Sequence, residues 1–115
     1  MGNQPSRLQV TNPGEAERLE SQLVSYEEAQ NLARRGQALA DPNRVILLKL
    51  ISDAGQSCVG DLCLIAGMEQ ANTSRNLRIL WDAGLVKRWV LSRSTMYRPT
   101  DAGLRLLAAL LPQPE

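Results

Sequence analysis

The hydrophobic period of the chain changes at Gly84, and this change restricts the fold more than any other feature. Before Gly84, apolar residues recur at the helical spacing of about 3.6 residues. After it, apolar and polar residues alternate along Leu85–Leu91 and Thr95–Arg98, with Ser92–Ser94 between the two segments. Alternation on both sides of a short polar turn predicts a β-hairpin. We therefore expect a mainly helical protein with one hairpin near its carboxyl end.

Helical segments occupy most of the chain before the hairpin. Ser25 to Glu28 forms a capping-box pattern, which either starts a second helix or lies within one long helix. Asp41 and Pro42 are favoured at a helix start, and the segment after them is apolar around much of its girth. The predicted order is four helices, two strands and a helix. The helices run from Glu15 to Leu39, from Pro42 to Ala54, from Cys58 (capped by Ser57) to Ala66, from Gln70 to Ala83, and from Asp101 to Leu111.

The chain has 115 residues, two cysteines and no histidine. This length suits one domain, which we place at residues 15–115 after a flexible arm over residues 1–14. The lack of histidine excludes Ser-His-Asp catalysis and removes the commonest zinc ligand, so we expect no metal and no cofactor. Two thiols make neither a four-thiolate zinc site nor a dense disulfide framework. No apolar run reaches the roughly 20 residues of a membrane span, and the first residues lack a secretory signal pattern. We expect a soluble, cytoplasmic protein with no membrane partner.

Charge is unevenly distributed along the chain, although the formal net charge is only +1. Residues 1–29 carry a local charge of −3, whereas residues 70–100 carry six cations against Asp82 alone, a local charge of +5. Lysine and arginine displace counterions from phosphates, so such a segment is typical of a nucleic-acid contact. A solvated charged face is the alternative interpretation. The six cations are Arg75, Arg78, Lys87, Arg88, Arg93 and Arg98.

A short helix, a turn at Gly67 and a helix with a polar start together predict a helix-turn-helix. Such a unit inserts the first turns of its second helix into the major groove, where polar side chains bond base edges and phosphates. The hairpin would then be a wing that lies along the backbone or minor groove. The alternative is an ordinary exposed helix end. The candidate DNA-binding residues are Gln70, Asn72, Thr73, Ser74, Arg75, Arg78, Lys87, Arg88 and Arg93.

Residues 39–99 resemble the winged helix-turn-helix repressors of the arsenic-repressor (ArsR/SmtB) family. The resemblance rests on Leu39–Arg44, Ser57–Cys63 and Leu77–Val86; the first of these segments reads LADPNR, and the last ends in AGLV. It implies a homodimeric repressor that leaves its DNA operator when an effector binds. It also implies DNA contacts at the positions of Gln70, Asn72, Ser74 and Arg75.

This chain departs from the family pattern at three positions of the second helix of the predicted unit. Many members carry a pair of histidines where this chain has Arg75 and Asn76, and a hydroxyl residue where it has Ala71. The operator sequence of other members therefore does not transfer to this chain.

Cys58 and Cys63 lie where some members of that family carry a three-cysteine arsenite site, but Gly60 replaces the middle cysteine. On one helix, a spacing of five residues would separate the two side chains by about 140° and about 7.5 Å, which does not suit a disulfide. Three interpretations stay open: small apolar core residues, thiols that sense an oxidant or electrophile, and ligands for a thiophilic metal or metalloid. A second family metal site, which draws histidines from the final helix, is absent because the chain has none.

The final helix is apolar on nearly every side, so one side of it would be exposed in a monomer. An exposed apolar patch of this kind is typical of an interface. We expect a two-fold dimer built from the first and last helices, with recognition helices about 34–36 Å apart. Trp81 and Trp89 either belong to the core or interface or line a pocket. The candidate interface residues are Leu19, Leu23, Leu104, Leu107 and Leu111.

The leading functional hypothesis is therefore a DNA-binding transcriptional regulator, with double-stranded operator DNA and a second copy of the chain as partners. The alternative is a protein-interaction module that uses the same scaffold without reading DNA, because a fold alone does not determine function. An enzyme is the third candidate, and the lack of histidine makes it the weakest of the three.

Overall fold

The computed structural model describes residues 12–113. It confirms the mainly helical class with a hairpin wing, but the described part contains one helix and one short strand more than predicted. The elements, in chain order, are α1 Pro13–Ser21, α2 Tyr26–Ala38, α3 Pro42–Ala54, β1 Ser57–Cys58, α4 Val59–Ala66, α5 Gln70–Asp82, β2 Val86–Leu91, β3 Ser94–Pro99 and α6 Asp101–Leu110.

The amino-terminal segment forms two separate helices. The Asn12 side chain accepts hydrogen bonds from the backbone N–H groups of Gly14 and Glu15 and caps α1. Residues 12–14 therefore belong to a helix start and not to the predicted arm, whereas residues 1–11 of that arm lie outside the described residues. Ser25 Oγ accepts from the N–H of Glu28 at 3.1 Å and starts α2, which decides between the two predicted alternatives.

The exposed α1 helix carries an ion pair between Arg18 and Glu15. The guanidinium of Arg18 donates to the Glu15 carboxylate one turn earlier, and this hydrogen bond lowers the pKa of Glu15. Both groups are exposed, so the pair contributes little to stability.

The core lies between α3, α5 and the start of the hairpin. Leu47, Leu48 and Ile51 of α3 are fully buried, as the apolar girth of this segment predicts. Leu77 and Leu80 of α5 pack into the same cluster. Burying each such side chain contributes about 1.5–3 kcal/mol. The core therefore fixes α5 through one face and leaves its other face free.

The sheet has the order β1-β3-β2, and both pairs are antiparallel. β1 pairs with β3 through Ser57↔Tyr97, an interaction that was not predicted because a two-residue strand has no period. The hairpin turn contains only Ser92 and Arg93, with φ angles of 49° and 69°. Two successive residues with positive φ form the turn that matches the twist of a hairpin. Ser94 belongs to β3 and not to the turn.

The start of α6 is joined to the start of the hairpin. The Thr100 hydroxyl donates to the Gly84 carbonyl at 2.7 Å and accepts from the N–H of Gly103 at 3.0 Å. Gly103 is buried directly against the backbone of Leu85. This contact places α6 across the base of the wing.

Among residues 12–113, no helix has both the length and the apolar character required to cross a bilayer.

Candidate nucleic-acid interface

The helix-turn-helix consists of α4, a three-residue turn and α5. Gly67 ends α4 in the left-handed conformation, with φ 67° and ψ 33°, and a glycine adopts this conformation without strain. The N–H of Met68 then donates to the Cys63 carbonyl at 3.0 Å. Glu69 is extended and α5 begins at Gln70. The predicted boundaries of this unit are confirmed to within one residue.

The exposed face of α5 is polar and cationic. Gln70, Ser74, Arg75 and Arg78 are exposed, and residues three or four apart lie on the same helix face. Arg78 lies 3.8 Å from Asp82, and both of these side chains are largely exposed. This face therefore presents two arginines and several hydrogen-bonding groups to an external partner.

Thr73 is the exception among the predicted contacts on α5. It is fully buried, and its Oγ1 donates to the Glu69 carbonyl at 2.9 Å. The prediction that Thr73 contacts DNA is therefore wrong. A hydroxyl four residues after a carbonyl bonds within the helix when the core covers it, and residue type alone does not reveal which face is covered.

The wing separates its cations between two faces. Lys87 and Arg98 are directly opposite each other in the β2–β3 register, so they share a face, whereas Arg88 shares the other face with buried Tyr97. The Arg88 guanidinium lies 3.7 Å from the centroid of the Trp81 ring. Lys87 and Arg88 were both predicted to contact DNA, but they lie on opposite faces of the wing.

Arg98 was counted in the basic segment but was not predicted as a site residue. Its guanidinium lies 5.8 Å from the centroid of the Trp89 ring, next to Lys87. Like charges directly opposite on two strands are destabilising, unless an anion compensates them. Only the cross-strand register could have revealed this pair. Neither tryptophan is fully buried; each has an arginine near its ring, and Trp81 is 39% exposed.

A hydrogen-bonded network behind α5 was also not predicted. Arg44 Nη1 donates to Asn76 Oδ1 at 3.1 Å, and Asn76 Nδ2 donates to Asn72 Oδ1 at 3.4 Å. Arg75 Nη2 donates to the same Asn72 oxygen at 2.7 Å. The network links the start of α3 to the exposed face of α5. The sequence separation between Arg44 and Asn76 hides it from any local pattern.

The two cysteines do not lie on one helix. Cys58 belongs to β1 and precedes α4 in an extended conformation, whereas Cys63 lies on α4. The predicted angular separation of about 140°, which assumed one continuous helix, therefore does not apply. Both thiols are free and half-buried. Within residues 12–113, no group of three or more His, Cys, Asp or Glu side chains is arranged to hold a metal ion.

The predicted dimer residues are exposed with one exception. Leu19, Leu23, Leu104 and Leu111 are between 38% and 76% exposed, whereas Leu107 is 3% exposed and packs in the core of its own chain. The prediction that Leu107 lies in an interface is therefore wrong. Uniform apolarity does not show which side of a helix its own domain covers. No residue of α1 is buried, and Ala38 is the one buried residue of α2.

Comparison with known proteins defines the class and then the family. The structure resembles the winged helix-turn-helix DNA-binding domain of a Mycobacterium bovis protein described as homodimeric and as a possible ArsR-family regulator. The TM-score is 0.68 and the identity 30%, over 76% of this chain and 83% of that one. The family model described as "Bacterial regulatory protein, arsR family" matches residues 41–88. The chain belongs to the ArsR family.

Two curated relatives are also similar in sequence. A transcriptional repressor SmtB homolog of Synechocystis sp. is 31% identical over 83 residues, which cover 72% of this chain and 62% of the relative. The arsenical resistance operon repressor of Escherichia coli is 35% identical over 69 residues, which cover 56% and 59%. The chain thus spans about 60% of the length of these two relatives.

Proposed function

We propose that this chain is a transcriptional regulator that binds double-stranded DNA in the cytoplasm as a homodimer and represses transcription. The observation that carries the proposal is the asymmetry of α5. Leu77 and Leu80 are fully buried on one face, while Ser74, Arg75 and Arg78 are exposed on the other. A helix that is held rigidly through its apolar side and is polar and cationic on its free side is suited to the major groove.

The wing supports the same assignment. Arg93 stands at the tip of the hairpin, and Lys87 and Arg98 form a cationic pair on one face of it. Phosphate contacts from such residues orient a protein on the duplex without reading its sequence. The contact model therefore assigns base reading to the start of α5 and backbone contacts to the wing.

Two arginine variants test this division of roles. We expect Arg75→Ala to reduce the preference for the specific site over scrambled DNA by about 5- to 150-fold, which corresponds to about 1–3 kcal/mol. We expect Arg93→Gly to weaken binding to both DNAs equally. Glycine adopts the φ of 69° at this position without strain, so the variant removes the charge and keeps the turn. Fluorescence anisotropy with the DNA upstream of the protein's own gene, and with a scrambled duplex, measures both ratios.

The alternative function, a protein-interaction module, predicts that the wild-type protein does not bind DNA in these measurements. Leu64 and Ile65 of α4 are 82% and 65% exposed, which favours a protein partner for that helix. If the wild-type protein binds neither duplex at low salt, the chain is an interaction module and not a regulator that reads DNA. Both curated relatives are described as repressors, and we propose no catalytic activity.

The homodimer is proposed from the exposed apolar residues of α1, α2, the connection between these two helices, and α6. The helices α1 and α2 bury almost nothing within their own chain, and the similar Mycobacterium bovis domain is described as homodimeric. A second copy that covers Leu19, Leu23 and Leu110 would remove this apolar surface from water.

Leu23→Glu is expected to weaken the dimer by about 100-fold or more. Burying one leucine contributes about 1.5–3 kcal/mol, and a two-fold interface contains the residue twice. Leu64→Glu is the matched control, because Leu64 is similarly exposed but lies on α4, outside the proposed interface. Sedimentation equilibrium measures the dimer dissociation constant of each variant. A wild-type protein that is monomeric at micromolar concentration, or equal effects of the two variants, would contradict the proposed interface.

A further inference from the structure

We propose that Arg44 and Asn76 are positioning residues that orient the side-chain amide of Asn72, so that Asn72 and Arg75 present only hydrogen-bond donors to the base edges. This proposal rests on the proposed DNA-binding function and adds a rule of base preference to it. The network joins the end of α2, the start of α3 and the exposed face of α5.

Arg44 is held in one position by backbone groups. Its Nε donates to the Ala38 carbonyl at 2.6 Å, and its Nη2 donates to the Gln37 carbonyl at 3.4 Å. Both carbonyls belong to the last turn of α2. The Arg44 side chain is 14% exposed, so water competes little for these bonds. Its third nitrogen, Nη1, is thereby aimed at Asn76.

The side-chain amide of Asn76 has a single orientation, because the residue is buried and its oxygen must accept a hydrogen bond from Arg44. The residue is 2% exposed. A guanidinium has donors and no acceptor, so Asn76 must face it with the amide oxygen. The amide nitrogen of Asn76 consequently points to the other side, where Asn72 Oδ1 lies 3.4 Å away. The opposite orientation of the amide would place two sets of donors against each other.

The same reasoning fixes the orientation of Asn72. Its Oδ1 accepts from Asn76 and from Arg75 at once, and is therefore occupied within the protein. Its amide nitrogen is left to point away from the network, toward the exposed face of α5. The remaining N–H groups of Arg75 are donors as well. The start of α5 thus offers donors without a matching acceptor at these two positions.

Donors recognise a defined set of base edges. In the major groove, guanine presents two acceptors, N7 and O6, thymine presents O4, and adenine presents N7 beside its amine, whereas cytosine presents only an amine, which needs an acceptor. The paired contact of asparagine with adenine requires both the oxygen and the nitrogen of the amide. Because the Asn72 oxygen is occupied, this paired contact is lost, and we expect guanine to be favoured and cytosine to be disfavoured at the base that Asn72 reads.

Asn76→Asp tests this mechanism with almost no change in volume. A carboxylate still accepts from Arg44, and the resulting charge-assisted bond keeps the anchor. It cannot donate to Asn72, so the Asn72 amide rotates, donates its own nitrogen to the carboxylate and releases the Arg75 N–H that its oxygen had accepted. Its oxygen is then turned outward as an acceptor. The base preference should shift by at least about five-fold toward adenine or cytosine, equivalent to one hydrogen bond of about 1 kcal/mol.

The preference is measured by selecting bound duplexes from a random-sequence library and sequencing them, with wild type, Asn76→Asp, Asn72→Ala, and the double variant. In the Asn72→Ala background, Asn76→Asp should have no effect on base preference, because the residue that it positions is absent. An unchanged preference in Asn76→Asp, or the same shift with and without Asn72, overturns the proposal. Failure of the wild-type protein to enrich any sequence instead overturns the proposed function.

A second measurement does not depend on the variant or on DNA. In the free wild-type protein, NMR should show that the side-chain amide protons of Asn76 exchange slowly with water and those of Asn72 exchange quickly. This result is expected because the Asn76 nitrogen is buried and bonded, whereas Asn72 is half-buried and its nitrogen donates no hydrogen bond within residues 12–113. Fast exchange at Asn76 or slow exchange at Asn72 would show that the amides are oriented differently, and would overturn the proposal.

Discussion

Gly103→Ala is expected to lower the free energy of unfolding by about 3 kcal/mol, at the upper end of the usual range for an overpacked site. A Cβ on Gly103 would overlap the carbonyl oxygen of Leu85, and it would lie within 3.1 Å of the carbonyl carbon. Both atoms belong to the backbone, and Leu85 is fully buried. No side-chain rotation can relieve the overlap, so α6 must move away from the base of the wing.

Denaturant unfolding followed by circular dichroism measures this loss. Gly60→Ala is the matched control, because Gly60 also lies on a helix, but no atom beyond its chain neighbours and the backbone of its own helix lies within 4 Å of the place of its Cβ. Alanine is the better helix former, so this control should be neutral or slightly stabilising. Equal stability of the two variants would show that α6 does not pack against Leu85 as described.

DNA binding is expected to weaken by about a thousand-fold or more when the salt concentration rises from about 50 to about 200 mM, the usual result for six to ten phosphate contacts. Each copy of the chain exposes several arginine or lysine side chains on α5 and the wing, and a dimer doubles their number. Each phosphate contact releases counterions, and the free energy of this release falls as the salt concentration rises. The contributing residues in each copy are Arg78, Lys87, Arg93 and Arg98.

The slope of log Kd against log salt measures the number of phosphate contacts. Arg93→Gly should reduce the magnitude of this slope by about 1.8, because a dimer loses two contacts of about 0.9 each. Leu64→Glu changes the net charge by the same amount on α4 instead of the wing, and therefore separates the loss of a specific contact from a change in net charge. A slope that is flat in the wild type would contradict the contact model.

Local signals in the chain predicted most of the secondary structure. Asp41 and Pro42 begin α3, Gly67 ends α4, and the alternation after Gly84 forms the hairpin. Each of these features depends on dihedral preferences or on the period of a few neighbouring residues. The same kind of signal predicted the polar start of α5, since residue type is sufficient to recognise an exposed polar stretch.

The errors share one physical cause, which is that burial depends on packing between distant segments. Thr73 looks like a DNA contact and Leu107 like an interface residue, yet the core of the domain covers both. Lys87 and Arg88 look like a pair, yet the pleat of the strand directs them to opposite faces. Register and helix orientation decide these outcomes, and neither can be derived from composition.

Local dihedral preferences and hydrophobic periods were thus sufficient for the helices after Asp41 and for the hairpin, and residue charges were sufficient for the basic segment. The tertiary structure decided which of the polar residues on α5 are free, and it joined Arg44 to Asn76 across 32 positions of the chain. The physical reason is that a hydrogen-bond network between segments forms only after the apolar core has fixed their relative positions. The start of α5 is polar because of its residue types, but the orientation of its amides depends on a residue of α3.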